Sequence, residues 1–152
     1  LHTNDALGGI SRLVDMGVEP FLVAASVRAF LAQRLVRRLC KHCKVPVEVS
    51  MEQRHRLGIP DSITGQAFEP VGCDKCRNTG FSGRLAIYEV ILIGNQMEEL
   101  VAKAADSSTL KKQALKDGYV PIREYGWHKV MKGITTIEEV VSVTATDLGG
   151  AH

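Results

Sequence analysis

Apolar and polar positions along the chain mark out a series of short elements. Near the start, Leu7, Ile10, Leu13 and Val14 recur at helical spacing, preceded by the candidate N-caps Thr3, Asn4 and Asp5 and followed by Gly17 as a stop. Pro20 suits the first turn of a second helix running through Phe21, Leu22 and Ala25 to about Arg28. Leu31, Leu35 and Leu39 would continue a helix, but Phe30 to Val36 also reads as a buried strand, and the strand is the favoured reading. Ser50-Met51-Glu52-Gln53 matches a capping box for a short helix ending near Gly58. Pro60, Asp61, Gly65 and Pro70 then interrupt the chain, so residues 44–72 are expected to be loop-rich and to bury little apolar area. Residues 78–83 form a turn cluster, and Arg84 to Ile93 are rich in β-branched residues, as in a strand.

Everything beyond is expected to be helical. Asn95 is the candidate cap of one helix, Ser107 or Ser108 of a second that stops at Gly118, and Pro121 opens a third that runs to Gly133. Thr136-Ile137-Glu138-Glu139 is a capping box for the last helix, and a frayed tail is expected after it. The short connections predict a small packed bundle.

All four cysteines fall in two C-x-x-C pairs, Cys40/Cys43 and Cys73/Cys76. Two residues between thiols let one tight knuckle aim both sulfurs at one centre, and two knuckles make a closed tetrahedral sulfur site of the kind structural zinc prefers. Soft thiolates with no open position do not suit magnesium, calcium or a catalytic water. Two disulfides or a dithiol redox pair are the competing readings. His42 lies inside the first knuckle and is a possible substitute ligand, although a solvated basic neighbour is the simpler reading.

Composition narrows the field. The chain has 45% hydrophobic and 24% charged residues, so it is globular, and a net charge of +2 makes no case for nucleic acid. With only 5% aromatic residues, stacking platforms for single strands are scarce. No apolar run approaches the ~20 residues that span a bilayer. The opening residues carry neither an initiator Met nor the pattern of a signal peptide, which leads us to expect a piece of a longer protein. A basic cluster of Arg34, Arg37, Arg38, Lys41, His42 and Lys44 admits anionic lipid or nucleic acid as a ligand. Charge complementarity to neighbouring subunits, or a solvated face beside a tetrathiolate metal centre of net charge about −2, is the favoured account of it.

In combination, Leu1-His2-Thr3-Asn4-Asp5-Ala6, Arg12 to Gly17, Ala32 to Cys40, the two C-x-x-C pairs, Gly83-Arg84 leading to Tyr88-Glu89-Val90, and Gly133 to Val140 resemble the C-terminal part of bacterial type II secretion and type IV pilus assembly ATPases. The tetracysteine region points to the secretion E-subunit or pilus extension group. The resemblance implies an α/β protein, α+β within this chain. Residues 1–39 would be the end of a RecA-like P-loop ATPase core, 40–83 a tetracysteine zinc-binding subdomain, and 84–148 a small helical subdomain. It further implies a cytoplasmic homo-hexamer, peripheral at the inner membrane, that works with a membrane platform protein and cytoplasmic secretion or pilus components, without nucleic acid. His2 matches the family's His box near the nucleotide γ-phosphate. Thr3, Gln33 and Arg34 are further candidates on the nucleotide side.

Zn2+, held by Cys40, Cys43, Cys73 and Cys76, would be structural. ATP and Mg2+ would bind only in the full-length protein, because no G-x-x-x-x-G-K-[ST] occurs in the chain. The alternative is a freestanding zinc-ribbon module that binds nucleic acid or protein through Arg37, Arg38, Lys41, Lys44, Lys75 and Arg77.

Overall fold

A computed structural model describes residues 5–149, with side chains through residue 144. The elements in chain order are helices α1 (Ala6–Asp15) and α2 (Pro20–Ser26), strands β1 (Ala29–Leu39) and β2 (Val45–Val47), helix α3 (Met51–Leu57), strand β3 (Ala67–Glu69), a 3-10 turn at Asp74–Cys76, strand β4 (Phe81–Leu92), and helices α4 (Asn95–Ala102), α5 (Ser107–Lys116), α6 (Ile122–Met131) and α7 (Ile137–Gly149). The chain is therefore mixed α/β, with two two-stranded sheets, β1 with β4 and β2 with β3. No helix among the described residues is long and apolar enough to cross a membrane.

The local signals explain most of these boundaries. Asp5 is the cap used at α1, accepting the Gly8 N–H at 2.7 Å, and Gly17 at φ +94° ends the helix. Ser50 accepts the Gln53 N–H at 3.1 Å, and Gly58 closes α3 in the left-handed region. Thr136 accepts the Glu139 N–H at 3.1 Å to start α7.

Other boundaries differ from the sequence pattern. Helix α2 stops at Ser26 because Val27 is already extended. The cap of α4 is Gly94, with Asn95 the first helical residue. The cap of α5 is Asp106, which accepts the Thr109 N–H at 2.8 Å, in place of Ser107 or Ser108. Strand β4 begins at Phe81, inside the expected turn cluster, and the short strands β2 and β3 went unforeseen.

The fold divides into two compact units, and neither is continuous in sequence. The first comprises residues 1–33 and 88–121. Its core joins Leu7 and Ile10 of α1, Val23 and Ala24 of α2, Ile91 of β4, Met97 and Val101 of α4, and Leu110 and Ala114 of α5. Within it the Glu89 carboxylate is buried, accepting the Ala6 N–H at 2.6 Å and the Tyr119 hydroxyl at 2.8 Å. A carboxylate at the first N–H of α1 satisfies one of that helix's orphan donors where the helix dipole favours negative charge.

The second unit comprises residues 34–87 and 122–152. Ile59, Ile63 and Ala67 pack against Trp127, Val130, Met131 and Val140, while Val36, Ile87 and Ile122 form a smaller cluster. The four C-terminal helices thus do not make one bundle: α4 and α5 belong to the first unit, α6 and α7 to the second. Short loops constrain neighbours in sequence, but the apolar faces decide what each helix packs on.

The region between the cysteine pairs is also better packed than its breakers suggest. Arg54 pins its turn, donating to the carbonyls of Pro60 at 3.0 Å and Ile63 at 2.6 Å, and the Gln66 N–H donates to Met131 O at 3.0 Å.

Helices α6 and α7 meet closely at Gly126, where an added Cβ would lie 2.6 Å from Val140 Cγ1. Alanine is the better helix former, yet the overlap with a β-branched, rotamer-locked valine should dominate. Gly126→Ala is expected to lower the unfolding free energy by about 1–3 kcal/mol. Urea denaturation checks this, and unchanged or increased stability would contradict the packing account.

Candidate metal centre

The pairing of β1 with β4 sets the two knuckles side by side. Cys40 directly follows β1, and its N–H donates to Gly80 O, just before β4, at 2.9 Å. At the other end of the pair, the Ile93 N–H donates to Arg28 O at 2.9 Å, so the two strands run antiparallel. Beyond Cys43 the chain enters β2, which pairs antiparallel with β3 in the register Val45 to Glu69, Pro46 to Phe68 and Val47 to Ala67. This small sheet returns the chain toward Cys73 and closes the long connection with ladder hydrogen bonds and side-chain packing, which offset its closure entropy.

The four sulfurs converge. Cys40 and Cys73 Sγ are 3.8 Å apart, Cys43 and Cys76 3.8 Å, and Cys73 and Cys76 3.7 Å. All four ligand atoms lie within 4.8 Å of one another, and none of the cysteines is in a disulfide. A tetrahedral ion with metal–sulfur bonds of about 2.3 Å requires sulfur–sulfur edges of about 3.8 Å. The donor set therefore fits a zinc-sized ion in number, softness and spacing. His42, the possible substitute ligand, is exposed and stands outside the cluster.

Backbone N–H groups are aimed at the sulfurs. Gly72 N–H donates to Cys43 Sγ at 3.3 Å, and Cys73 and Gly80 N–H each donate to Cys76 Sγ at 3.2 Å. The second knuckle turns through left-handed backbone at Arg77 and Asn78, φ +57° and +62°, and at Gly80, φ +80°. A side chain at Gly80 would collide with Pro70.

These contacts separate the two thiols of that knuckle. Burial disfavours the Cys76 thiolate, but the N–H groups of Cys73 and Gly80, and then the neighbouring thiols, outweigh it and lower the group to about 6. At Cys73 burial wins and raises the thiol to about 11, against the lowering effect of the backbone N–H bonds.

The other candidates have different fates. Gln33 is exposed and Arg34 half-buried on β1. His2 and Thr3 lie outside the described residues. Of the basic cluster, Arg37 is committed to structure: its guanidinium pairs with Glu139 at 2.8 Å and lies 4.0 Å from the Phe81 ring centroid, while its carbonyl accepts the Thr135 hydroxyl at 2.8 Å. Lys44 Nζ donates to Gly133 O at 2.8 Å and sits 4.4 Å from the Phe68 centroid. Pairing of Arg37 with Glu139, 102 residues away in sequence, leaves no local signal that sequence reading could have used.

Residues 1–142 match the family described as Type II/IV secretion system protein. The chain belongs to that family. Among its relatives, the type IV pilus assembly ATPase PilB of Myxococcus xanthus is 48% identical over 150 residues, covering 97% of this chain and 26% of that protein. The type IV pilus assembly ATPase TfpB of Acinetobacter baylyi is 44% identical over 149 residues, 94% of this chain and 25% of that protein. The type II secretion system protein E of Aeromonas hydrophila is 41% identical over 147 residues, 97% of this chain and 29% of that protein. The chain thus spans about a quarter of the length of these members of the secretion family.

Because Ile59, Ile63 and Ala67 are anchored on Trp127, metal removal should loosen the knuckles without dissolving this core. On chelation, emission from Trp127, the single tryptophan, is expected to stay that of a buried indole while all four thiols become reactive. A shift to exposed-indole emission would show that the core depends on the metal. Gly80→Ala should weaken metal binding about 10–100-fold in chelator competition, as loss of an outer-shell partner does. Unaltered affinity would remove the role assigned to this turn.

Proposed function

We propose that the chain is the C-terminal part of a cytoplasmic hexameric ATPase that powers pilus or pseudopilus assembly and, in the latter case, protein secretion. In this reading zinc, bound by Cys40, Cys43, Cys73 and Cys76, is a structural brace. The observation that carries it is identity of 41–48% to pilus assembly ATPases and type II secretion E proteins across 94–97% of the chain. The matched span extends through both units and well outside the cysteine region, so a freestanding zinc-ribbon module has no observation of its own to favour it.

Within this reading the roles divide. ATP and Mg2+ belong to the longer protein, because the chain has no phosphate-cradling glycine loop with its lysine. Phosphoryl transfer depends on such positioning and electrostatic stabilisation. His2 and Thr3, with Gln33 and Arg34, are the residues of this chain proposed to face the nucleotide in the longer protein. The hexamer, the membrane platform protein as partner, and peripheral placement at the inner membrane are parts of the same proposal, and nucleic acid is not. Zinc would offset half the charge of four thiolates that could not otherwise share so small a volume, and would hold the knuckles in one geometry.

The purified chain should contain one zinc per molecule by metal mass spectrometry, with four thiols released by chelator, and should show no metal-dependent ATP turnover. A metal-free, disulfide-linked chain would overturn the zinc assignment, and turnover would overturn the division of roles. In the full-length protein, replacing both Cys40 and Cys43 with Ser should abolish pilus assembly or secretion while nucleotide binding persists. Retained function with zinc lost would refute the brace.

Zinc affinity should also rise with pH. Cys76, lowered to about 6, enters as a thiolate at neutral pH, whereas Cys73, raised to about 11, must lose its proton. Between pH 7 and pH 9 loss of the Cys73 proton is therefore expected to raise apparent affinity by about tenfold per pH unit. Chelator competition measures this, and a flat profile would contradict the assigned protonation of Cys73.

A further inference from the structure

Beside the cysteine centre, within the second unit, lies a concave pocket of about 330 Å3. That volume is at the small end of the range for small-molecule sites. Arg38, Lys41, Lys44 and Lys75 line it, joined by the Ser82 hydroxyl, and none of its lining residues is acidic.

The cations come from three separate segments: the end of β1, the first knuckle and the second knuckle. Their convergence is therefore a product of the fold and not of a basic run in the sequence. Among the described residues, the side chains of Arg38, Lys41 and Lys75 have no ion-pair partner, whereas the adjacent Arg37 is taken by Glu139. Lys44 is held in the wall by Gly133 O and the Phe68 ring.

Charge balance with the metal accounts for only half of this. A zinc tetrathiolate carries a net charge of about −2, so two of the four positive charges are left without a counter-charge. Like charges gathered around one concavity raise a shared positive potential there and favour an anion of matching valence, even with Arg38, Lys41 and Lys75 exposed to solvent. An arginine fork, flexible ammonium groups and a hydroxyl suit tetrahedral oxygens as hydrogen-bond acceptors.

We propose that this pocket binds a phosphoryl dianion, as free phosphate, a soluble phosphate monoester or the headgroup of an anionic lipid. The proposal rests on the zinc reading for its charge balance. It turns the basic cluster from a solvated face into a ligand site, with Arg37 excluded from it.

The test is a 15N–1H NMR titration of the zinc-loaded chain with inorganic phosphate, with ionic strength held constant by chloride. Saturable shifts are expected at the amides of Lys41, Lys75 and Ser82. The double variant Lys41→Glu/Lys75→Glu should bind at least tenfold more weakly while keeping its zinc, and the control Lys111→Glu/Lys112→Glu on α5 should bind normally. Absence of saturation, or equal affinity in the pocket variant, would overturn the proposal.

Zinc is measured on the same samples, so the two readings fail separately. A chain that takes up no zinc when supplied with it, yet binds phosphate at these residues, refutes the zinc reading and supports the pocket, whereas a zinc-loaded chain that does not bind phosphate refutes the pocket. Co-sedimentation with phosphatidylcholine vesicles containing phosphatidic acid, compared with phosphatidylcholine alone, separates the sources. Binding lost in the pocket variant identifies a lipid headgroup, and phosphate binding without vesicle binding identifies a soluble ligand.

Discussion

Four sulfur atoms within 4.8 Å of one another are the constraint on which the cysteine region depends. Four thiols can approach this closely for modest cost while protonated, but four thiolates cannot do so without a cation between them. The surrounding structure anticipates that charge. Three backbone N–H groups point at two of the sulfurs, and left-handed backbone at Arg77, Asn78 and Gly80 puts the second knuckle's donors in line. Such directed N–H groups act as fixed partial positive charges that need no reorganisation when the thiolate forms.

The same region does not rest on the metal alone. Its connecting loop is clamped by the β2–β3 pair and seated on Trp127 through Ile59 and Ile63. The sequence hid this, because Pro60, Gly65 and Pro70 signal interruption more strongly than three isolated apolar residues signal burial. Interrupters report local geometry; burial here depends on α6, which lies far along the chain. The two C-x-x-C pairs were legible as a ligand set because spacing within a knuckle is a local property. Their mutual approach became certain only with the β1–β4 pairing, a long-range one. Cap choice shows the opposite scale of error: Asp106 supplanted Ser107 because one residue's shift in helix start gives the stronger acceptor to the Thr109 N–H. The nucleotide-side residues could be reached only by resemblance, since His2 and Thr3 carry no spacing pattern of their own.

Charge is handled differently at neighbouring positions. Arg37 and Arg38 are consecutive on β1, so their side chains leave opposite faces of the strand. One is bound to Glu139 and stacked on Phe81; the other lines the basic pocket. Two arginines that read alike in sequence are thus sent by strand pleat to different surroundings, one to an ion pair and one to the pocket. Glu89 illustrates the same economy in the first unit, where one carboxylate serves both the start of α1 and the hydroxyl of Tyr119.

The interleaving of the two units along the chain has a consequence for biosynthesis. Neither unit is complete when its first segment leaves the ribosome: residues 1–33 wait for 88–121, and 34–87 wait for 122–152. Both cysteine knuckles, however, have emerged by Cys76, before either set of waiting helices exists. The facing ends of β1 and β4, joined by the Cys40 N–H to Gly80 O hydrogen bond, thus precede in order of synthesis the helices that complete either core.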